Sequence, residues 1–306
     1  MDLLGDLLAV GGVRGALGAR IEAGGNWRLA WHKMRGAAFY AVTSGTAWLC
    51  RRDEEPVQLM PGDVVLLPSG TPHALVSSPE QVLVPHQGCD TSQLTDGSLL
   101  RLGDGEVRTH VVGACYEYDP SVTTQVMNAL PPVLHIRADN AGTGLDDTVR
   151  LLARELASPQ AASSYVLNRV VDILLVQALR AWLAGKPNEV RGTCLSALTD
   201  PVVSAALAQL HQEPARPWTT DSLAAELTIS RSTLTRRFRA VIGSAPADYL
   251  TRWRMDLAAT RLRDTDDTLD SIARSVGYTS VYAFSRAFRR ARAQAPGQFR
   301  ATIRTP

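Results

Sequence analysis

The 306-residue sequence has no run of eighteen apolar residues, and its opening stretch, MDLLGDLLAVGG, carries acids where a secretory leader carries bases. Neither a membrane span nor an export signal is supported, so cytoplasm is the expected compartment. The cysteines are few and scattered (Cys50, Cys89, Cys115, Cys194), with no CxxC pair and no Cys/His cluster at zinc-finger spacing. Ordinary reduced thiols are the plain reading, with Cys89 and Cys115 as candidates for redox sensing. Net charge is also small, +2, and a composition of 45% hydrophobic and 20% charged residues is that of a soluble globular chain of two domains.

Lysine is missing altogether after residue 196. That segment holds 16 arginines against 10 acids, a balance of +6, while the rest of the chain stands at −4. The basic excess is therefore C-terminal and entirely arginine. A guanidinium fork donates two parallel hydrogen bonds and suits phosphate and guanine, although a solvated helical surface would carry the same charge.

The segment also repeats itself. Leu223, Ala224, Leu227 and Ile229 recur 49 positions later as Ile272, Ala273, Val276 and Tyr278. Ser230, Leu234, Thr235, Arg236, Phe238 and Arg239 recur 50 positions later as Ser280, Phe284, Ser285, Arg286, Phe288 and Arg289. One inserted residue near Gly277 accounts for the change of offset, and a duplicated helix-turn-helix explains the pattern. Helical spacing turns Leu234, Phe238 and Val241 inward and Ser232, Thr235, Arg236 and Arg239 outward. In the second copy Phe284 and Phe288 point in, and Tyr282, Ser285, Arg286 and Arg289 point out. Each outer stripe sets short hydroxyls beside arginines, groups that reach base edges and phosphates from a helix in a major groove. Between the copies SAPADYLTRWRMDLAATRLR reads as one long helix, capped by Ser244 with Pro246 in its first turn. At 1.5 Å per residue such a spacer of roughly 25 Å suits helices in successive major grooves.

These hundred residues resemble the DNA-binding domain of AraC/XylS-type transcription regulators. Ile272, Ala273, Val276, Gly277 and Tyr278 match that family's signature, and Pro296, Phe299 and Arg300 its closing motif, although ARAQAP replaces the usual glycine-containing turn. The resemblance places base-contacting positions at Ser232, Thr235 and Arg236 and at Val281, Tyr282, Ser285 and Arg286. Arg231, Arg239 and Arg289 complete the candidate DNA-contacting set.

From residue 27 to 118 short β-rich runs alternate with glycine, proline and acidic turns, the mark of a small antiparallel barrel or jelly roll. Gly62, Pro68, Gly70 and His73 resemble the second cupin motif, with Ser77 where asparagine is common. The first cupin motif lacks its histidines and glutamate, and Phe39, Tyr40, Ala41 and Val42 stand in its place. No metal or other cofactor is firmly implied, since His73 would need co-ligands such as His32 or His86. A ligand pocket inside the barrel, lined by Phe39, Tyr40, Trp48 and His73, is the preferred expectation. The N-terminal half also resembles the cupin-like sensor domain of one branch of these regulators; some relatives there have histidine at Tyr40 and cysteine at Val112, and this chain has neither.

Two helical stretches follow, LDDTVRLLARELASPQ and SSYVLNRVVDILLVQALRAWLAG. The second is apolar on more than one face through Val166, Leu167, Val170, Val171, Leu174, Leu175, Ala178 and Leu179. It runs through its own core or pairs with another chain, and pairing is favoured. The expected α+β organisation is a cupin-like sensor barrel (1–140), a helical dimerisation segment (141–185), a polar linker (186–199) and an all-α double helix-turn-helix domain (200–306). Its expected role is regulation of transcription on double-stranded promoter DNA, as a homodimer answering a small-molecule effector or redox signal, and not as an enzyme or a membrane protein. The alternative is a metal-dependent cupin enzyme with a helical accessory domain.

Overall fold

The computed structural model describes residues 3–10, 13–32, 34, 36–80, 98–118, 127, 130–140, 142–158, 160–185 and 194–304. The chain forms two compact units. One comprises residues 14–117 and 130–186, the other residues 1–13, 118–129 and 187–306.

Among the described residues the first unit contains ten strands: β1 (Arg14–Gly24), β2 (Arg28–Trp31), β3 (Ala37–Ser44), β4 (Ala47–Arg51), β5 (Val57–Leu59), β6 (Val64–Leu67), β7 (His73–Val76), β8 (Ser98–Leu102), β9 (Val107–Glu117) and β10 (Leu134–Ile136). They make a six-stranded sheet in the order β10-β6-β3-β9-β1-β8 and a four-stranded sheet in the order β2-β7-β4-β5. Pairing is antiparallel except between β1 and β8, where Ala19 lies beside Ser98 and Ala23 beside Leu102. Ile21, Leu29, Trp31, Tyr40, Leu49, Leu67 and Val111 meet in one apolar core. Strand β1 escapes the sequence reading because glycines interrupt its alternation of apolar and polar residues.

The outer face of the six-stranded sheet is apolar too, so β3 is buried from Ala37 through Val42 on both sides. It is covered by α2 (Gly142–Ala157) and α3 (Ser163–Gly185), which pack on each other and, through α3, on β1 and β10. Tyr116 donates its hydroxyl to the Val171 carbonyl at 2.7 Å, and Asp172 Oδ1 accepts the Gly15 amide at 2.8 Å. Most of the apolar breadth that the sequence offered for pairing with another chain is covered within the unit: Leu167, Val170, Val171, Leu174, Leu175, Ala178, Leu179 and Trp182 of α3 are buried there. Of the large apolar residues of α3, Tyr165, Val166 and Ile173 stay exposed, at 70%, 37% and 48%. The helical pair is continuous with the barrel rather than a separate segment.

The second unit is helical: α1 (Leu3–Val10), α4 (Pro201–Gln212), α5 (Thr220–Glu226), α6 (Arg231–Ile242), α7 (Pro246–Asp264), α8 (Leu269–Ser275), α9 (Val281–Arg292) and α10 (Pro296–Arg304). The N-terminal helix, assigned to the sensor on sequence order alone, buries Leu4, Leu7 and Leu8 and packs on α4 and α7. Thr260 donates to the Val10 carbonyl at 2.9 Å. His211, stacked on Trp253 with ring centres 3.7 Å apart and bonded to Tyr249, meets Asp6 at 3.4 Å. Of the expected 186–199 linker, residues 186–193 lie outside the described residues, and Cys194–Thr199 form a 3-10 helix that buries Leu195 and Ala197 rather than a free polar link.

A β-carbon at Gly15 would stand 2.5 Å from Val171 Cγ1 and 2.9 Å from Tyr116, so β1 and α3 touch only because residue 15 has no side chain. Gly15→Val is expected to destabilise the strand-rich unit by about 1–3 kcal/mol, measured by urea unfolding with near-UV circular dichroism; wild-type stability would show that α3 docks elsewhere.

Candidate nucleic-acid interface and barrel interior

In the helical unit α5 and α6, and then α8 and α9, form the two helix-turn-helix pairs. Their boundaries keep the two offsets, 49 for the first helix and 50 for the second, so the extra residue falls in the second turn, at Thr279. Ser230 and Ser280 each cap a recognition helix, accepting the Thr233 amide at 3.2 Å and the Ala283 amide at 3.4 Å. The turns need a left-handed residue, Thr228 in one copy and Gly277 in the other, at φ 56° and 82°. Glycine is required at 277, where a β-carbon would lie 2.7 Å from the Ala215 carbonyl oxygen. Both recognition helices also end on a left-handed residue, Gly243 and Ala293. At Ala293, where the first copy has Gly243, an alanine bears that strain, roughly 1 kcal/mol.

Helix α7 serves both pairs. Tyr249 meets Phe238 edge-on at 5.8 Å on the first pair, while Met255, Ala258 and Leu262 join Phe284 and Phe288 in the second core. Its start corrects the expected cap: Ala245 is the N-cap and makes no side-chain cap bond, because the helix begins at Pro246. Ser244, one residue too early, instead accepts from Arg252 at 2.7 Å.

The arginines sort into two sets. Between residues 196 and 300 most are held inside the protein: Arg237 by Asp200, Arg261 by Asp267, Arg274 by Asp270, Arg292 by Asp256, Arg216 by Glu213 and Glu226. Arg254 donates to the Pro214 and Arg216 carbonyls and Arg300 to that of Asp267. Those with no carboxylate, carbonyl or hydroxyl partner among the described residues of this stretch are Arg236, Arg239, Arg286, Arg289 and Arg290, all on α6 and α9 and all exposed; Arg252 on α7 has the Ser244 hydroxyl as its hydrogen-bond partner. Ser232 is exposed beside them, and Thr235 and Ser285 are half-buried on the same faces. Tyr282 is 72% exposed and lies under the Arg286 guanidinium, 5.7 Å from the ring centre. Val281 is half-buried, and Arg231 pairs with Asp221 at 3.3 Å across the first turn. Sequence reasoning missed Arg290, whose signal was its place four residues after Arg286.

The barrel brings together only two of the four expected ligand residues. Tyr40 and His73 meet in the interior, with the Tyr40 hydroxyl 2.7 Å from Nε2 and the Thr71 carbonyl 2.6 Å from Nδ1. The carbonyl accepts only a proton, so Nδ1–H donates to it and Nε2 accepts from Tyr40. Trp31 stacks on the imidazole at 4.9 Å. Phe39 is the strand neighbour of Tyr40 and faces the other way, edge-on to Tyr116 at 6.0 Å. Trp48 packs with Ala30, Cys50, Ala74 and Val76 in a separate cluster. Both His73 nitrogens are engaged and His32 is exposed; among the described residues no three His, Cys, Asp or Glu side chains converge. This donor set does not fit a metal. His86 and Cys89 lie outside the described residues.

A helix-turn-helix domain family matches residues 223–302, and a cupin family matches residues 2–184. A putative AraC-like transcription regulator of Streptomyces lividans is 37% identical over 98% of both chains. The chain belongs to the AraC-like transcription regulators. Its similarity to a second such regulator, from Streptomyces antibioticus, is 35% over 98% of both chains. The AlkR regulator of Acinetobacter baylyi is 29% identical over 92% of both. The AraC-like chain is thus a DNA-binding transcription regulator with a cupin-like N-terminal domain, and not an enzyme. Among the described residues no helix is long and apolar enough to cross a membrane.

In this regulator burial pushes the His73 pKa down to about 4, opposed by the Thr71 carbonyl. Burial raises Tyr40 well above the usual phenol range, with Cys115 adding to the rise. Between pH 6.5 and about 4 the unfolded chain therefore binds a proton at His73 that the folded barrel does not. The stability conferred by the neutral imidazole is present above pH 6.5 and is lost as pH falls towards 4. Urea midpoints followed by tryptophan fluorescence should fall across that window, and His73→Gln should make the fall shallower; an unchanged pH profile in the variant would contradict a buried neutral histidine.

Proposed function

We propose that α6 and α9 enter two successive major-groove segments of promoter DNA and read them through different side chains. The observation that carries this reading is the sorting of the arginines: within residues 196–300, those without internal partners among the described residues lie on these two helices. Ser232, Thr235 and Arg236 face bases from the first helix, and Val281, Tyr282, Ser285 and Arg286 from the second, while Arg231, Arg239 and Arg289 bind phosphate. The 19 residues of α7 span roughly 28 Å at 1.5 Å each, a spacer near the 34 Å of one DNA turn. The copies differ most where Arg231 and Ser232 become Val281 and Tyr282, so the second helix offers apolar surface to a thymine methyl where the first offers donors.

The same reading makes the N-terminal unit the sensor of a small molecule, with the protein acting in the cytoplasm as a homodimer. A small molecule is favoured over a redox signal because burial, with Glu117 adding to it, raises the Cys115 pKa and suppresses the reactive thiolate. Cys50 is buried and its pKa is raised as well. The dimer contact is the exposed remainder of α3: Val166 and Ile173 lie seven residues apart on one stripe, with Tyr165 beside them.

Arg236→Ala and Arg286→Ala should each weaken binding to the promoter site by roughly 1–3 kcal/mol, read by fluorescence anisotropy. Arg239→Ala should weaken all sequences alike and lower the salt dependence by about one unit; full affinity in all three variants would dismiss these faces. For the dimer, Ile173→Glu should convert the protein to monomer in analytical ultracentrifugation, and a wild-type association constant would place the contact elsewhere.

A further inference from the structure

The outer face of the six-stranded sheet is not fully covered by α2. Along the last two turns of that helix a groove of about 450 Å³ opens onto β1, β9 and β3. Its floor is polar, with Arg20, Glu22 and His110; its walls are apolar, with Val112, Ala153 and Leu156. This volume lies in the range of small-molecule sites, roughly 300–1,000 Å³, and its few polar groups converge on one end.

The hydrogen bonding on that floor is incomplete. Arg20 donates through Nη1 to the Leu156 carbonyl at 2.6 Å. Its Nη2 stands 3.6 Å from Glu22, too far for a good hydrogen bond, and its Nε is buried without a partner among the described residues. An unpaired buried donor is costly, and the Nε–Nη2 edge is the one that takes a carboxylate side-on. Glu22 does not already satisfy it, because Arg101 draws the same carboxylate from the other side at 3.3 Å. Two guanidinium groups against one carboxylate leave one positive charge uncompensated. His110 sits across from Glu22 on β9, with Nδ1 engaged by Ser44 at 2.7 Å.

We infer that this groove, outside the barrel, binds a small monocarboxylate with a compact apolar body. The carboxylate takes the Nε–Nη2 edge of Arg20, Glu22 moves towards Arg101 and stays paired, and the body lies on Val112, Ala153 and Leu156. A single excess charge selects a monoanion over a phosphate dianion. Leu156 belongs to the last turn of α2, whose carbonyls have no partner further along the helix. Arg20 holds one of them, so occupation of the groove is felt at the turn from α2 into α3. The inference deepens the small-molecule reading of the sensor and rests on it for its regulatory meaning.

The test is titration of the full-length protein with sodium 4-methylpentanoate and with the uncharged 4-methylpentanamide, followed by saturation-transfer NMR and calorimetry. Saturable carboxylate binding is expected, with the amide and Arg20→Gln each weaker by about tenfold or more, the loss of a charge-assisted pair. Because Arg20→Gln also removes the bond to Leu156, Ala153→Trp is made as well; it fills the groove from the opposite wall and should abolish binding while circular dichroism stays that of the wild type. Equal affinity for acid and amide, no saturable binding at millimolar concentration, or wild-type binding by both variants would overturn the inference. So would loss of binding in Tyr40→Phe alone, which would place the ligand inside the barrel. Promoter affinity of the same preparations is measured separately: intact DNA binding without carboxylate binding rejects the groove and leaves the regulator reading in place, whereas absent DNA binding counts against the recognition faces and not against a groove assayed without DNA.

Discussion

Burial on two opposite faces is the constraint on which both units depend. A helix or sheet that is apolar on one face needs one cover, and an element apolar on both must be the middle layer. Strand β3 is such an element, buried from Ala37 to Val42, and it obliges the chain to supply α2 and α3 as the second cover of the six-stranded sheet. Helix α7 is another, lodged against Phe238 through Tyr249 and against Phe284 and Phe288 through its second half. Because it is shared, the two helix-turn-helix pairs are not independent modules, and the spacing of their recognition helices is built into one rod.

The arginines show how one residue type does two jobs without confusion. A guanidinium with a carboxylate or carbonyl nearby is a fastener, as Arg237 is for the N-terminus of α4 and Arg300 for the Asp267 carbonyl. Among the described residues from 196 to 300, those left without any internal hydrogen-bond partner are confined to α6 and α9. The fasteners are worth little singly where solvent screens them. Their larger effect is to neutralise charge elsewhere on the helical unit, so that its uncompensated positive field is concentrated on α6 and α9.

The double helix-turn-helix was legible because its signals are local. The caps at Ser230 and Ser280, the inward phenylalanines and the extra residue before Ser280 all act within a few residues of chain, and each is found where periodicity places it. The barrel interior was legible only in part. A cupin-like turn pattern leads to Gly62, Gly70 and His73, yet nothing local says that Tyr40 will be its partner, because Tyr40 and His73 sit on strands of different sheets. Grouping Phe39 with Tyr40 overlooked the two-residue period of a strand, which sends neighbours to opposite faces. The apolar breadth of α3 was visible, but its cover was not: a helix against a sheet and a helix against a second chain share one composition.

By itself the sequence determined the repeat, the outward faces of α6 and α9, the C-terminal position of the basic excess and the membership of its family, because these follow from spacing along a regular helix and from residue identity. Tertiary structure alone decided which arginines are tied down, that α1 packs with the C-terminal helices, that α3 lies on its own sheet, and that a polar groove opens beside Arg20. Each of these depends on residues as much as 250 positions apart, as in the bond from Thr260 to the Val10 carbonyl. Periodicity assigns a face to every side chain, but what covers that face is settled only when the chain closes on itself.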